Sequence, residues 1–202
     1  SNRMMHRVYP LLRIKVKVTI PDECKGLGPA VYVANHQTNW DIIVLTGAVQ
    51  PGVVAVGKKS LVWLPLFGIL FYLSGNVLID RSNRSRAIDT IRQVVDKIRS
   101  RRISIWMFPE GTRSRGRGLL PFKTGAFHTA MQAGVPIVPV VATSYAKQID
   151  LNRWDNGEVH IEMLPPIDPA GWERDQVREC ADHVRELMKA KLQELDHQVH
   201  GA

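Results

Sequence analysis

The chain has 202 residues, of which 45% are hydrophobic, and this length and apolar content predict one globular domain with a sizeable core. Its formal net charge of +8 indicates an anionic partner, which can be a nucleic acid, a phosphorylated substrate or an acidic membrane surface. The two cysteines, Cys24 and Cys180, are too few and too far apart for a disulfide framework or a zinc site. No uninterrupted apolar run reaches the roughly 20 residues that a membrane-spanning helix needs.

Predicted strands and helices alternate through the first half of the chain. Residues 13–20 alternate charged residues with β-branched apolar ones, which is typical of a strand with one face in water. Apolar residues recur at helical spacing over 85–100, so this segment is predicted to be a helix. The other elements predicted in this half are strands at 30–34, 52–56 and 76–80 and a helix at 40–48.

The second half continues the alternation, with a predicted strand at 103–108 and a helix at 124–133 that ends at Gly134. Two prolines in the next strand, 135–142, predict that it lies near a sheet edge or a strand start. A strand at 159–164 and a long helix at about 173–197 complete the series. The apolar side predicted for the long helix comprises Val177, Ala181, Val184, Leu187, Met188, Leu192 and Leu195.

This alternation predicts an α/β domain with a mixed, largely parallel central sheet flanked by helices. In such sheets, functional sites gather at the carboxyl ends of the strands. Three polar segments directly follow predicted strands: NHQTNWD (35–41), DRSNR (80–84) and PEGTRSRG (109–116). They are therefore the candidate site segments.

An apolar and aromatic stretch at 61–73 has two interpretations that the sequence leaves open. It is broken by Pro65 and Gly68, so it can be a buried helix and loop of the core. It can also be a surface that meets lipid or an acyl chain, because its aromatic residues flank a run too short to span a bilayer. Lys58 and Lys59, just before it, would then suit anionic headgroups.

His36 is the best candidate for a general base, because imidazole exchanges protons near neutral pH. Asp41 follows five residues later, and a turn between them would let its carboxylate accept a hydrogen bond from the imidazole. No G-x-S-x-G elbow is present, and neither cysteine lies in a strand-end loop. The pair therefore indicates that a substrate hydroxyl is the nucleophile.

The segment PEGTRSRGRG combines glycines, which allow close backbone approach, with arginines that bind phosphate oxygens. A lone basic loop of this kind is more often a solvated turn or a nucleic-acid segment. The carboxylate of Glu110 would repel the phosphates of a nucleic acid, so it argues against a polyanion-binding surface. The segment also has no aromatic residues between its arginines on which bases could stack. Arg81, which closes a predicted strand, is a second candidate phosphate ligand. Nucleic acid is therefore not the expected partner.

Four segments in this order resemble the motif blocks of the glycerolipid acyltransferase family, in particular its bacterial members that acylate lysophosphatidic acid. They are NHQTNWD, GNVLIDR, FPEGTRSRGRGLLPFKTGAF and VPIVPV, and with GKKSLVWLP they cover roughly residues 30–142. Each block alone is weak evidence, but four blocks in order at matched spacing are specific. The resemblance implies the α/β fold of glycerol-3-phosphate acyltransferases over a single domain, residues 1–202, without the N-terminal membrane-anchoring segment usual in the family.

The resemblance also implies a role for individual residues. His36 would deprotonate the sn-2 hydroxyl of lysophosphatidic acid, and Asp41 would orient His36. The phosphate ligands implied are Arg81 and Arg113, with Lys58 as a third, and the acceptor site would be shaped by Glu110, Gly111 and Thr112. The residues expected to be structural or to line the acyl pocket are Pro136, Ile137 and Pro139.

The implied reaction transfers an acyl group from a thioester of acyl carrier protein or coenzyme A to give phosphatidic acid, with no metal and no cofactor besides this co-substrate. The implied location is the cytoplasmic face of the inner membrane, with monotopic or peripheral attachment to a surface with anionic lipids. Another acceptor, such as glycerol 3-phosphate or a different lysophospholipid, is the nearest alternative. A non-catalytic module that binds anionic lipid is a further alternative, but binding alone does not need the His36–Asp41 pair.

Overall fold

The computed structural model describes residues 9–58, 77–79 and 84–201. Its strands form one sheet in the order β1-β7-β6-β2-β5-β3-β4. Neighbouring strands are parallel except β6 and β7, which are antiparallel. The predicted mixed, largely parallel sheet is therefore confirmed. The strands are β1 (Lys15–Thr19), β2 (Val31–Ala34), β3 (Val53–Lys58), β4 (Val77–Ile79), β5 (Ser104–Met107), β6 (Ile137–Ala142) and β7 (Glu158–Met163).

Helices lie between the strands where the apolar spacing predicts them. Gly134 ends the fourth helix with a φ of 67°, a conformation that glycine adopts without steric cost. Glu173 and Gln176 form a capping box before the last helix, which begins slightly later than predicted. The α-helices are α1 (Tyr9–Leu12), α2 (Asp41–Val44), α3 (Arg84–Arg101), α4 (Gly125–Ala133) and α5 (Val177–His200). Short 3₁₀ turns cover Asp22–Cys24, Leu45–Ala48, Pro169–Gly171 and Arg174–Gln176.

The sheet separates two apolar cores, because successive side chains of a strand point to opposite faces. In β2, Val31 and Val33 belong to the core that α3, α4 and α5 cover. Tyr32 and Ala34 belong to the core on the other face, together with residues of α1, α2 and the 3₁₀ turn that follows α2. Both faces of β2 are buried, as expected for a central parallel strand. The sheet is therefore a rigid support for the loops at its ends.

Of the two positions predicted for the proline-containing strand, the sheet edge is wrong, because β6 lies between β2 and β7, and the strand start is confirmed for Pro136 only. Pro136 precedes the first residue of β6 and needs no ladder donor. Pro139 is inside the strand, and its carbonyl accepts from Leu164 N (2.9 Å) on the β7 side. The nitrogen and the carbonyl of one strand residue point to the same neighbouring strand, so the nitrogen of Pro139 faces this side as well. There the chain after β7 passes through Pro165 and Pro166 and the regular ladder is interrupted. The missing donor of Pro139 therefore falls where the sheet is irregular.

The apolar side predicted for the last helix is confirmed except at Leu187. Val184 and Met188 have no exposed surface, whereas Leu187 is 41% exposed. Leu187 lies about 100° around the helix from Met188, so the two side chains cannot both face the sheet. The helical period, and not hydrophobicity alone, decides which leucines enter the core.

Some sequence predictions fall outside the described residues. The stretch 61–73, Lys59 and Arg81 are among them, as is the side chain of Lys58. Among the helices that the structure describes, none is both long enough and apolar enough to cross a bilayer.

Replacing Met188 with Ala should lower the free energy of unfolding by about 2–5 kcal/mol, because a fully buried side chain is removed from a packed core. Leu187→Ala is the matched control on the same helix, and it should change stability by less than about 1 kcal/mol because this side chain is already partly in water. Urea unfolding followed by circular dichroism measures both values. Equal losses for the two variants would contradict the orientation of α5.

Candidate active site

The candidate site lies at the carboxyl ends of the interior strands β2, β5 and β6, and we call this side of the sheet the loop edge. These strands are parallel, so the segments that follow them, beginning at Asn35, Phe108 and Thr143, meet at one edge. Ser114 N donates to His36 O (2.8 Å), and this backbone contact joins the first two segments. Two of the polar segments predicted from the sequence, 35–41 and 109–116, are therefore adjacent in the structure.

His36 and Asp41 form a direct pair. His36 Nδ1 lies 2.6 Å from Asp41 Oδ2, and the imidazole also stacks on Phe108 with ring centroids 4.2 Å apart. The side chain of Asp41 is 2% exposed and that of His36 is 24% exposed. The carboxylate thus engages Nδ1, and Nε2 remains the nitrogen that can accept a proton from a substrate.

The carboxylate of Asp41 accepts hydrogen bonds from several directions besides His36. Oδ2 also accepts from Gln37 N (2.7 Å), and Oδ1 accepts from Thr38 N (2.8 Å), Thr38 Oγ1 (3.3 Å) and Tyr145 Oη (2.6 Å). Donors on both oxygens match the acceptor-only character of an ionised carboxylate. They hold the carboxylate, and through it the imidazole, in one orientation.

Tyr145 is a site residue that sequence reasoning missed. Its side chain has no exposed surface, and burial together with the adjacent Asp41 carboxylate raises the pKa of Tyr145 well above its ordinary value. The hydroxyl therefore stays protonated and donates to Asp41. A tyrosine three residues past β6 carries no motif that marks it, and only the neighbouring positions of β2 and β6 in the sheet bring it to Asp41.

Amide side chains fasten the loop after β2 to the end of β6. Asn35 donates from Nδ2 to Ala142 O (2.8 Å) and accepts at Oδ1 from Ala142 N (2.9 Å). Gln37 donates from Nε2 to Thr143 O (2.7 Å) and accepts at Oε1 from Tyr145 N (3.0 Å). Both amides are buried, and in these bonds each uses its donor and its acceptor. They extend the β2–β6 pairing beyond the strands.

Glu110 supports the backbone of His36. Its Oε1 accepts from His36 N (2.6 Å) and its Oε2 accepts from Leu120 N (2.9 Å). Burial is the main reason that the pKa of Glu110 is raised, while its backbone hydrogen bonds act in the opposite direction. Both carboxylate oxygens have backbone partners, so this residue shapes the loop beneath the imidazole.

The remaining loop residues predicted for the acceptor site follow Glu110 in the same loop. Gly111 has a φ of 71°, and the side chain of Lys123 lies 2.9 Å from where a Cβ would be, so only glycine fits without displacement. Thr112 is exposed. Arg113 donates from Nη1 to Asn39 Oδ1, which places its guanidinium against the loop that carries the pair.

The residues predicted to line an acyl pocket lie elsewhere on β6. Pro136 precedes the strand and Ile137 is its first residue, whereas the site edge is beyond Ala142 at the other end. Ile137 has no exposed surface and packs in the core with α4 and α5, and Pro139 pairs with Val33 inside the sheet. Their structural role is thus visible, and contact with an acyl chain stays a prediction.

The two cysteines do not supply a nucleophile. Cys24 and Cys180 are both buried, and burial raises the pKa of Cys24 and raises that of Cys180 to about 11. A protonated thiol is a poor nucleophile. Within the described residues, no group of histidine, cysteine and carboxylate side chains is arranged to hold a metal ion.

Comparisons with known proteins agree on one family. The family model described as "Acyltransferase" matches residues 15–143. The 1-acyl-sn-glycerol-3-phosphate acyltransferase of Escherichia coli K12 is 56% identical over 97% of this chain and 80% of its own length. The enzyme of that name from Haemophilus influenzae is 51% identical over 98% of this chain and 82% of its own length.

The fold has a counterpart among solved structures. The crystal structure of the 1-acyl-sn-glycerophosphate (LPA) acyltransferase from Thermotoga maritima superposes with a TM-score of 0.77 at 27% identity. The match covers 96% of this chain and 77% of that chain. The likeness therefore extends over both cores and the strands that carry the His36–Asp41 pair.

Replacing Tyr145 with Phe should lower the free energy of unfolding by about 1.5–3 kcal/mol, because a hydrogen bond to a buried carboxylate is lost. Tyr9→Phe is the control, since the Tyr9 hydroxyl donates to the neutral Val44 carbonyl (3.4 Å), and it should cost about 0.5–1.5 kcal/mol. Urea unfolding at several pH values measures both.

The raised pKa of Tyr145 determines how the difference in unfolding free energy between wild type and Tyr145→Phe depends on pH. A group whose pKa is higher in the folded state stabilises the fold below its unfolded pKa and loses this contribution as the pH rises further. The difference between wild type and Tyr145→Phe should therefore persist up to about pH 10 and shrink above it. A difference that grows with alkaline pH would contradict the Tyr145–Asp41 contact.

Proposed function

Because the chain belongs to the acyltransferase family, and within it to the 1-acyl-sn-glycerol-3-phosphate acyltransferases, we propose that it transfers a fatty acyl group from a thioester to the sn-2 hydroxyl of lysophosphatidic acid. The product is phosphatidic acid, a precursor in phospholipid synthesis. The observation that carries the proposal is the buried, fully hydrogen-bonded Asp41 that fixes His36 at the loop edge of the sheet.

In this reaction His36 is the general base. Its Nε2 takes the proton of the sn-2 hydroxyl while the oxygen attacks the thioester carbonyl, and Asp41 stabilises the imidazolium that forms. The tetrahedral intermediate then collapses, the carbon–sulfur bond breaks, and the leaving thiolate receives the proton from His36. The acyl group passes directly to the acceptor, which agrees with the protonated, buried state of both cysteines.

The acceptor phosphate is held by arginines in this proposal. Arg113 is supported by its position, because its contact with Asn39 places a guanidinium beside the dyad loop. Arg81 follows β4 by two residues in the sequence and lies outside the described residues. Its candidacy is supported by β4, which is parallel to β3 and so ends on the same side of the sheet as the strands that carry the site loops. Lys58, the last residue of β3, is a third candidate. Guanidinium forks suit phosphate oxygens.

The acyl donor is a thioester of acyl carrier protein or coenzyme A, and this co-substrate is the only cofactor-like molecule that the mechanism uses. Because the acceptor is a lipid, the proposed location is a membrane surface, and the similarity to bacterial enzymes supports the cytoplasmic face of the inner membrane, with monotopic or peripheral attachment. A transfer assay with both thioesters against lysophosphatidic acid, other lysophospholipids and glycerol 3-phosphate tests the substrate assignment. Preference for an acceptor other than lysophosphatidic acid would overturn the assignment.

Replacing His36 with Ala should lower kcat by about 10² to 10⁴, because the general base is removed. Asp41→Asn should also impair turnover strongly, because an amide can neither orient the imidazole in the same way nor stabilise its charge. His183→Ala is the control, since His183 is exposed on α5 and its ring is tilted by 46° against Trp172, away from the loop edge. A folded His36→Ala protein with near wild-type turnover would falsify the assignment.

Replacing Arg113 or Arg81 with Ala should raise KM for lysophosphatidic acid by roughly 10- to 150-fold, the equivalent of losing one hydrogen-bond set to a charged group. KM for the acyl donor should change much less. Arg101→Ala is the charge-matched control, because Arg101 ends α3 on the amino side of β5, at the opposite edge of the sheet. If KM rises equally for lysophosphatidic acid and for the acyl donor, the arginines do not bind the acceptor phosphate specifically, and they contribute to donor binding or to folding instead.

A further inference from the structure

The loop between β6 and β7 exposes the two most exposed large apolar side chains among the described residues. Trp154 is 87% exposed and Leu151 is 54% exposed. Ile42, which directly follows Asp41, is exposed as well. Two large apolar side chains exposed three residues apart on one loop indicate an interaction surface, whereas single ones do not. We name residues 150–156 the Trp154 loop.

Hydrogen bonds hold the Trp154 loop in one conformation. The buried Asn156 accepts at Oδ1 from Asp150 N (3.0 Å) and donates from Nδ2 to Asp150 O (2.9 Å) and Leu12 O (2.8 Å). Arg13 donates from Nη1 to Arg153 O (2.7 Å), and its guanidinium lies 4.6 Å from the ring centroid of Trp154. The loop therefore presents its apolar residues on a preorganised support, and binding through it would cost little ordering entropy.

The Trp154 loop lies at the same edge of the sheet as the His36–Asp41 pair. β7 is antiparallel to β6, so the start of β7 adjoins the end of β6, where Tyr145 donates to Asp41. Lys147 lies close to Gly116, so the arginine-rich loop is a neighbour. Among the described residues, the cations of this edge include Arg13, Arg113, Arg115, Arg117, Lys123, Lys147 and Arg153. The carboxylates of its β6–β7 side include Asp150, Asp155, Glu158 and Asp196, and Asp196 accepts from Ser144 N (2.7 Å).

We propose that the Trp154 loop is a membrane-docking element, which inserts Trp154 and Leu151 into the interface of an anionic bilayer so that the His36–Asp41 edge faces the lipid. The inference rests on the proposed function, because an acceptor with its acyl chain in a bilayer requires this edge to approach the membrane. Tryptophan favours the boundary between headgroups and acyl chains. Arg153 is paired with Asp150 (3.8 Å), so it is the cations of the neighbouring arginine-rich loop that complement anionic headgroups, and their attraction weakens with salt.

Tryptophan emission tests the inference directly, with vesicles of phosphatidylcholine alone or mixed with phosphatidylglycerol. The emission of Trp154 is the difference between the spectra of wild type and Trp154→Ser. It should shift to shorter wavelength on anionic vesicles and be quenched by brominated acyl chains. Flotation should show that Trp154→Ser weakens binding to anionic vesicles by about tenfold, as expected for one large apolar side chain left in water. Trp154→Phe should restore part of the binding.

Leu187→Ser is the matched control, because it removes an exposed apolar side chain from α5, away from the loop edge. It should bind vesicles like wild type. If the Trp154 emission is unchanged by vesicles, the docking inference is wrong, even when the protein floats through other segments. If light scattering shows that Trp154→Ser abolishes self-association instead, the loop is an interface between two copies, and the inference is likewise wrong.

His36→Ala separates this inference from the proposed function. It should dock like wild type and yet be inactive, because docking does not use the base. Active His36→Ala with Trp154-dependent binding would refute the catalytic role alone. Inactive His36→Ala with vesicle binding that is independent of Trp154 would refute the docking role alone.

Discussion

The carboxylate of Asp41 is the group on which the rest of the site depends. Placing a carboxylate at 2% exposure is costly unless hydrogen bonds replace the water that it loses. Here the replacements come from His36, Gln37, Thr38 and, more than a hundred residues later, Tyr145. The loop after β2 and the loop after β6 must both be in place before the charge is satisfied. The catalytic geometry and the folding of the sheet are therefore one constraint.

His36 is held from two sides. Asp41 holds its ring through Nδ1, and Glu110 holds its backbone through His36 N. Glu110 itself is fixed by Leu120 N and is buried under the loop. If His36 is the base, as proposed, it does not have to be reordered for each reaction, and such preorganisation is a large part of what a protein contributes to catalysis.

Charge is distributed by depth at this edge of the sheet. The carboxylates of Asp41 and Glu110 are buried and bonded to protein donors, whereas Arg115 and Arg117 are exposed. A phosphate that approaches from outside therefore meets cations first, and the buried carboxylates stay occupied by their own partners. The same arrangement suits a lipid acceptor at an anionic surface, where the headgroup stays near water and the acyl chain does not.

Local patterns in the sequence were sufficient for much of the fold and for the dyad. Alternation in one strand and short apolar runs in the others predicted every strand that the structure describes, and apolar spacing predicted most of the described helices, to within a few residues. Burial leaves this record, because a segment buried on one face is periodic and a segment buried on both faces is apolar throughout. His36 and Asp41 were predictable because they are five residues apart and one turn joins them. Arg113 and Glu110 were recognisable within a motif, although the bonds from Glu110 to the backbone of His36 were not.

Other features were decided only by tertiary structure. Pro139 is tolerated inside the sheet because the regular β6–β7 ladder ends beside it, where the chain passes through Pro165 and Pro166. The sequence around Pro139 alone does not show this. The exposure of Leu187 depends on which face of α5 meets the sheet. No sequence motif marks Tyr145 or the Trp154 loop. Their positions beside the His36–Asp41 pair follow from the order of the strands in the sheet. The sequence by itself determined the elements and the dyad, since these depend on neighbours along the chain, and the tertiary structure decided the long-range partners, since the sheet joins residues that are distant in sequence.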